Sequence, residues 1–250
     1  MLSPTNDQLS ELQNRQREIQ KEIVPVTRTI DYAEPEDRLK ERISMLINNL
    51  TEMNLSAKVN DLSDLLTNDT EKWFVDFLVR SRVERQDNYH GLYLSLVNYL
   101  VKTKGRELFN QVIDTSIQVT QELLTSDIKV LNEQHLFLKN MGGWLGLLTI
   151  GQDICLSQLH LNLTDLLLSS FYHKRLWYVY EFVCFLLRGC KESQVIKLPQ
   201  PWLVALLSLL KEIYMVPGIK EHFARLFKNF LEYMKTSTPT RRRATSITTF

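Results

Sequence analysis

Turn residues are scarce in this chain: its 250 residues include only eight glycines, seven prolines and three cysteines. Strand-like alternation of apolar and polar residues is correspondingly hard to find, which argues against a fold of many short strands. Cys155, Cys184 and Cys190 sit in apolar contexts without paired spacing, so reduced, buried thiols are expected rather than disulfides. Neither sign of charge dominates, the net charge being +1 and the pI near 7.7. A global basic field that would draw nucleic acid is thus lacking, and any such binding needs a local patch. Long apolar runs are lacking too. The longest, Met141–Ile150 and Trp202–Leu210, are about half the length of a bilayer span, so no membrane segment is expected. The first thirty residues carry no apolar run of signal-peptide length, which points to the cytosol or nucleus.

Sequence signatures of chemistry are absent as well. There is no GxxxxGK(S/T), GxGxxG or GxSxG to cradle a phosphate or seat a nucleophile. His90, His135, His160, His173 and His222 are scattered, and Cys155 with His160 lacks further ligands. Neither a metal nor a cofactor is expected, and the chain is read as non-enzymatic. Arg241–Arg243 ahead of Ala244, Thr245 and Ser246 has the shape of a basophilic kinase site, but a solvated basic tail has the same shape.

What is present is helical periodicity. Leu39, Ile43, Leu46, Ile47 and Leu50 form one stripe; Tyr89, Leu92, Tyr93, Leu96, Val97 and Leu100 form another. Ile219, Phe223, Leu226, Phe227, Phe230, Leu231 and Met234 continue a third for four turns. Short breaks at 51–57, 67–72, 86–88, 102–105, 125–127, 151–153, 193–201 and 216–218 separate about ten helices of 10–20 residues. Pro201 suits a first helical turn, and Pro217-Gly218 stops a helix. The spacing predicts helical hairpins recurring at roughly forty residues, an all-α, HEAT-like solenoid of about five hairpins. Residues 1–34 form a polar extension whose Leu9–Ile23 stretch has a thin apolar stripe, residues 35–235 the solenoid, and 236–250 a disordered basic tail.

One segment breaks the rules of its surroundings. Residues 140–150, NMGGWLGLLTI, place three glycines within five positions of a stretch with helical flanks. Each costs about 1 kcal/mol relative to alanine inside a helix. Gly142, Gly143 and Gly146 are therefore expected to admit a neighbouring backbone or bulky side chain, with Trp144 filling space beside them. Their role is read as structural packing.

The stretch LFLKNMGGWLGLLTIGQD (136–153), after ELLTSD (122–127), resembles the central domain of the large scaffold subunit of the Not-type (CCR-NOT) cytoplasmic mRNA deadenylase complex. RISMLINNLTEMNLSAKVNDL (42–62), WFVDFLVRSRVERQDNYHGLYLSLV (73–97) and PQPWLVALLSLLKEI (199–213) match it in the same order. The resemblance covers about 35–235. It implies the fold of the middle domain of translation initiation factor 4G and a docking role. One surface would hold the deadenylase subunit that trims poly(A), another the second RecA lobe of a DEAD-box helicase, in mRNA decay and translational repression in the cytoplasm, with P-bodies and nucleus as further sites. The family's scaffold is much longer, so the chain is an excised domain, a fragment or a shortened paralogue.

The resemblance also implies site residues. Arg82, Gln86, Asn88 and His90, with Thr125, Ser126 and Asp127, would face the helicase; a glutamate common in the family at the position of Gln86 is missing. Tyr93 falls on the apolar stripe and reads as core, and Asp127 suits a helix cap equally well. Arg82 and His90 are the stronger candidates, since a basic residue and a histidine among turn residues have little to do in a solenoid core. The alternative is an RNA-binding or translation-initiation solenoid, for which Lys102, Lys104, Arg106, Lys228 and Lys235 would have to cluster.

Overall fold

The structure, a computed structural model, describes residues 32, 34–154, 161–219 and 221–235. The Leu9–Ile23 stretch, Cys155, His160 and the basic tail lie outside the described residues. Eleven α-helices and no strand occur among those described. They are α1 (Asp37–Asn48), α2 (Leu55–Leu65), α3 (Asn68–Leu78), α4 (His90–Lys104), α5 (Arg106–Thr125), α6 (Ile128–Glu133), α7 (His135–Leu148), α8 (Leu163–Tyr172), α9 (Leu176–Leu186), α10 (Pro201–Met215) and α11 (Glu221–Lys235). A π-helical turn, Val79–Val83, extends α3, and 3₁₀ turns occupy Asp87–Tyr89, Ile150–Gln152 and Leu187–Lys191.

The helices stack in two layers. In one, α3, α5, α7, α9 and α11 each pack against the next; in the other, α2 packs against α4 and α8 against α10. Pairs α4/α5, α6/α7, α8/α9 and α10/α11 close the layers onto each other, with α1 against α2 at the start. This is the helical solenoid that the stripes predict. Ile43 and Ile47 of α1, Leu92, Tyr93, Leu96, Val97 and Leu100 of α4, and Phe223, Phe227 and Phe230 of α11 are all buried. Burying such a side chain contributes about 1.5–3 kcal/mol.

Several local expectations need correction. The helix expected after 67–72 begins at Asn68, because Thr67 caps it and its N–H donates to Thr70 Oγ1 at 2.8 Å, while Asp69 and Glu71 meet the positive helix start. Tyr89 is not on the α4 stripe; it closes the 3₁₀ turn ahead of it and is 51% exposed. α6 has only six residues, shorter than the expected range. Pro201 does open α10, and Cys184 and Cys190 are free and buried.

The glycines of α7 explain how the stack closes. A Cβ built on Gly142 would lie 2.5 Å from the Phe182 carbonyl oxygen, and one on Gly146 would lie 2.2 Å from that of Leu186. No side chain fits there, so α9 lies backbone to backbone on α7. Gly189, in the turn after α9, answers from the other side: its Cβ would meet the Gly146 carbonyl at 2.0 Å. Gly143 differs, with nothing nearer than the His90 ring at 3.8 Å. Trp144 is fully buried and donates from Nε1 to Ser116 Oγ on α5 at 2.9 Å, so α7 is fixed on two sides.

Candidate functional site

The expected site residues lie on the irregular connection from α3 to α4 and on the turn between α5 and α6. At the end of α3 the backbone widens into a π turn, closed by Glu84 N–H to the Val79 carbonyl at 2.9 Å. Such turns frequently mark functional positions, because the extra residue re-aims the side chains that follow. Here it sends two arginines to different neighbours.

Arg80 is fully paired. Its Nε donates to Asp76 at 2.7 Å, and its two terminal nitrogens donate to the Glu122 carboxylate of α5 at 2.7 and 3.0 Å, a bidentate geometry. Arg80 and Gln118 hold the Glu122 carboxyl below its ordinary range, the Arg80 bond being the largest cause. Tyr32 donates to the other Asp76 oxygen at 2.9 Å, extending the network to the start of the described chain.

Arg82 points the other way. It donates to Ser44 Oγ of α1 at 3.1 Å and lies over Phe77, 5.2 Å from the ring centroid. Phe77 in turn stacks on Trp73 at 5.3 Å. No carboxylate of the described residues comes within ion-pair distance of Arg82, and its Nε is buried without a partner. A half-buried guanidinium resting on an aromatic face and lacking an anion is suited to receive one from outside.

The rest of the loop is anchored around Arg82. The Tyr93 hydroxyl donates to Gln86 Oε1, which fixes the glutamine side chain inward. Tyr93 is buried, and exposed Tyr89 tilts against it at 6.1 Å. Asn88 is exposed beside them. His90 corrects the sequence reading: it is only 4% exposed, pairs through Nε2 with the Val83 carbonyl at 2.8 Å, and meets Trp144 edge-on at 5.7 Å. Burial pushes its pKa below the usual histidine value. It therefore has a full role in the core, joining the π turn to α7.

Thr125, Ser126 and Asp127 form the second part. Thr125 Oγ1 donates to the Gln121 carbonyl at 2.8 Å, and Ser126 Oγ to that of Leu123 at 2.7 Å. Asp127 caps α6, accepting from Lys129 N–H at 2.8 Å. Arg175, at the start of α9, clamps the turn through the carbonyls of Leu124 and Ser126. The Arg80–Glu122 pair links this turn to the π turn, while Arg82 faces α1. One shared scaffold thus holds both parts, with Arg82 packed toward α1 and the 125–127 turn clamped by Arg175.

The basic residues of the alternative reading fall on separate elements. Lys102, Lys104 and Arg106 flank the α4–α5 turn, where Lys104 donates to the Leu66 carbonyl and approaches Glu71 at 3.7 Å. Lys228 and Lys235 lie on α11, which packs against α9, α10 and the 187–191 turn. Among the described residues no three His, Cys, Asp or Glu side chains converge as metal ligands, and no helix is long and apolar enough to cross a membrane.

The sequence profile of the CCR4-NOT transcription complex subunit 1 CAF1-binding domain matches residues 31–244. The chain is 32% identical over 182 residues to the General negative regulator of transcription subunit 1 of Schizosaccharomyces pombe, covering 72% of this chain. It is 32% identical over 175 residues, 69% of this chain, to the protein of the same name in Saccharomyces cerevisiae. With the CCR4-NOT transcription complex subunit let-711 of Caenorhabditis elegans, identity is 28% over 200 residues, 76% of this chain. The chain spans only 8%, 8% and 7% of these relatives' lengths.

Proposed function

Since the chain belongs to the family of CAF1-binding domains of the CCR4-NOT scaffold subunit 1, we propose that it is a non-catalytic docking domain for the CAF1 deadenylase subunit. What supports this reading is the family match, which runs across nearly the whole solenoid rather than one motif. A solenoid in which α7 and α9 are locked backbone to backbone offers a stiff surface there, and a stiff surface loses little entropy when a partner docks. The finer part of the proposal is that the Arg82 face receives a DEAD-box helicase. Holding nuclease and helicase on one domain raises the effective concentration of each near one messenger, in cytoplasmic mRNA decay and translational repression.

The supporting observation for the second partner is Arg82 itself, a cation on the Trp73–Phe77 stack with no carboxylate of its own. Pulldown of the purified chain with its organism's deadenylase subunit and DEAD-box helicase, with Arg82→Glu in parallel, tests both parts. Wild type should retain both proteins and the variant only the deadenylase. Failure of the folded wild-type chain to retain the deadenylase refutes the docking function; equal helicase retention by Arg82→Glu refutes the assigned face.

A further inference from the structure

A row of cations and rings runs along another part of the solenoid, joining four elements. Lys139 Nζ of α7 lies 5.2 Å from the Phe185 ring of α9, and the Arg188 guanidinium lies over the same ring at 3.7 Å. Arg188 also lies 5.0 Å from the Tyr233 ring of α11; Lys191 Nζ lies over that ring at 4.3 Å and donates to the Tyr233 carbonyl at 3.1 Å. Three cations are thus linked through two shared rings. At its α7 end the row reaches the loop before α4, where Lys139 approaches Asp87 at 3.9 Å and Arg85 lies over Phe137 at 4.8 Å.

The centre of the row lacks what an arginine in such a position needs. Arg188 makes no ion pair with the described residues, and its Nε is buried without a hydrogen-bond partner. Burial pulls its pKa below the ordinary arginine value. A guanidinium packed on rings makes its hydrogen bonds in its own plane, where a carboxylate fits with two parallel bonds.

The flanking charges choose between anions. Asp87 and Glu181 act on Arg188, and Glu192 acts on Tyr233. These carboxylates would repel a continuous polyanion such as RNA, whose binding draws on many phosphates at once. They leave room for discrete acidic side chains separated by neutral ones, as an extended peptide presents with alternate residues on one side. We propose that the Lys139–Arg188–Lys191 row is a docking site for an extended acidic segment of a partner protein, with one of its carboxylates forked onto Arg188.

Fluorescence polarisation of the full chain tests this at low salt, with a fluorescein-labelled peptide of alternating glutamate and alanine, its glutamine counterpart, and labelled oligo(A). The variants are Arg188→Glu, Arg188→Gln and, as a control of equal charge change at an exposed position of α1, Arg38→Glu. The glutamate peptide should bind saturably and the glutamine peptide should not. Affinity should fall about tenfold in Arg188→Glu and several-fold in Arg188→Gln, and hold in Arg38→Glu. If Arg188→Glu fails to fold, as read by circular dichroism, Arg188→Gln carries the test. No binding by wild type, an equal loss in Arg38→Glu, or preferential binding of oligo(A) through Arg188 overturns the proposal.

Discussion

Replacing Gly146 with alanine tests the close approach that closes the stack, because two opposing effects of known size meet there. Alanine in a helix interior is favoured over glycine by about 1 kcal/mol, so an unobstructed change would stabilise α7. The new Cβ, however, would sit 2.2 Å from the Leu186 carbonyl oxygen, where ordinary contact begins at 3.4 Å. Separating α7 from α9 by the missing ångström loosens the whole contact between the two helices, including the approach of Gly142 to Phe182, and a gap of 0.5–1 Å forfeits roughly a quarter to a half of each dispersion contact. Overpacking of this kind costs about 1–3 kcal/mol, and here backbone rather than a movable side chain must yield, which puts the cost at the upper end. The net expectation is a loss of about 2 kcal/mol, or about 4–8 °C in thermal midpoint for a chain of this size. Gly143→Ala is the internal control, since its Cβ has 3.8 Å of room and should raise the midpoint by about 2–4 °C. Thermal and urea unfolding of both variants decide the matter. A Gly146→Ala protein as stable as Gly143→Ala would show that the two backbones are not in contact.

Three other perturbations follow from the same geometry. His90 is held neutral by burial, so the unfolded chain takes up its proton first as pH falls: stability should drop as pH falls through the unfolded value of about 6.5, toward the lower folded one. Urea midpoints at pH 7.5 and 5.5 should therefore differ more in wild type than in His90→Gln, and an identical pH dependence refutes the buried position. Arg80→Ala should cost about 1–2 kcal/mol in urea unfolding, because Asp76 and Glu122 lose their shared donor, and the loss should shrink in high salt. Cys190, with its pKa pushed up to about 12 by burial, and Cys184, pushed up still further, should both resist Ellman's reagent at pH 8 in a Cys155→Ser chain until denaturant is added; rapid reaction of the folded protein counts against the core assignment.

How far the sequence could be read depended on whether a residue's neighbours were near it along the chain. The stripes of α1, α4 and α11 are local patterns, and each does mark a buried face. Gly142 and Gly146 were legible because a helix interior penalises glycine whatever surrounds it. Gly189, which completes the same contact, was not: its reason is a carbonyl 43 positions away, and it sits at a helix end where glycine is common. The burial of His90 does have a local signal, since it stands three and seven positions before Tyr93 and Val97 and so shares their buried face. The Lys139–Arg188–Lys191 row left only a Phe185–Arg188 spacing of three, because its rings and cations come from four separate elements. Resemblance alone singles out Arg82, and its unpaired Nε follows from the way the π turn aims it at α1.

Arg80, Arg82 and Arg188 show two different uses of a cation in this solenoid. Arg80 meets two carboxylates and joins α3 to α5, so its charge is used within the fold. Arg82 and Arg188 are also half-buried, yet each rests on an aromatic ring with an Nε that has no hydrogen-bond partner. An unpaired buried donor costs about 1–3 kcal/mol, so both positions reduce the stability of the isolated chain. On the docking roles proposed above, a carboxylate from a partner would meet a guanidinium already held in place. Pre-positioning matters most where the supporting frame cannot shift, and the frame here is the α7–α9 backbone contact together with His90 and Trp144. The glycines that weaken α7 as a lone helix thereby fix the spacing of α7 and α9, the two helices that carry Lys139 and Phe185 at one end of the Arg188 row.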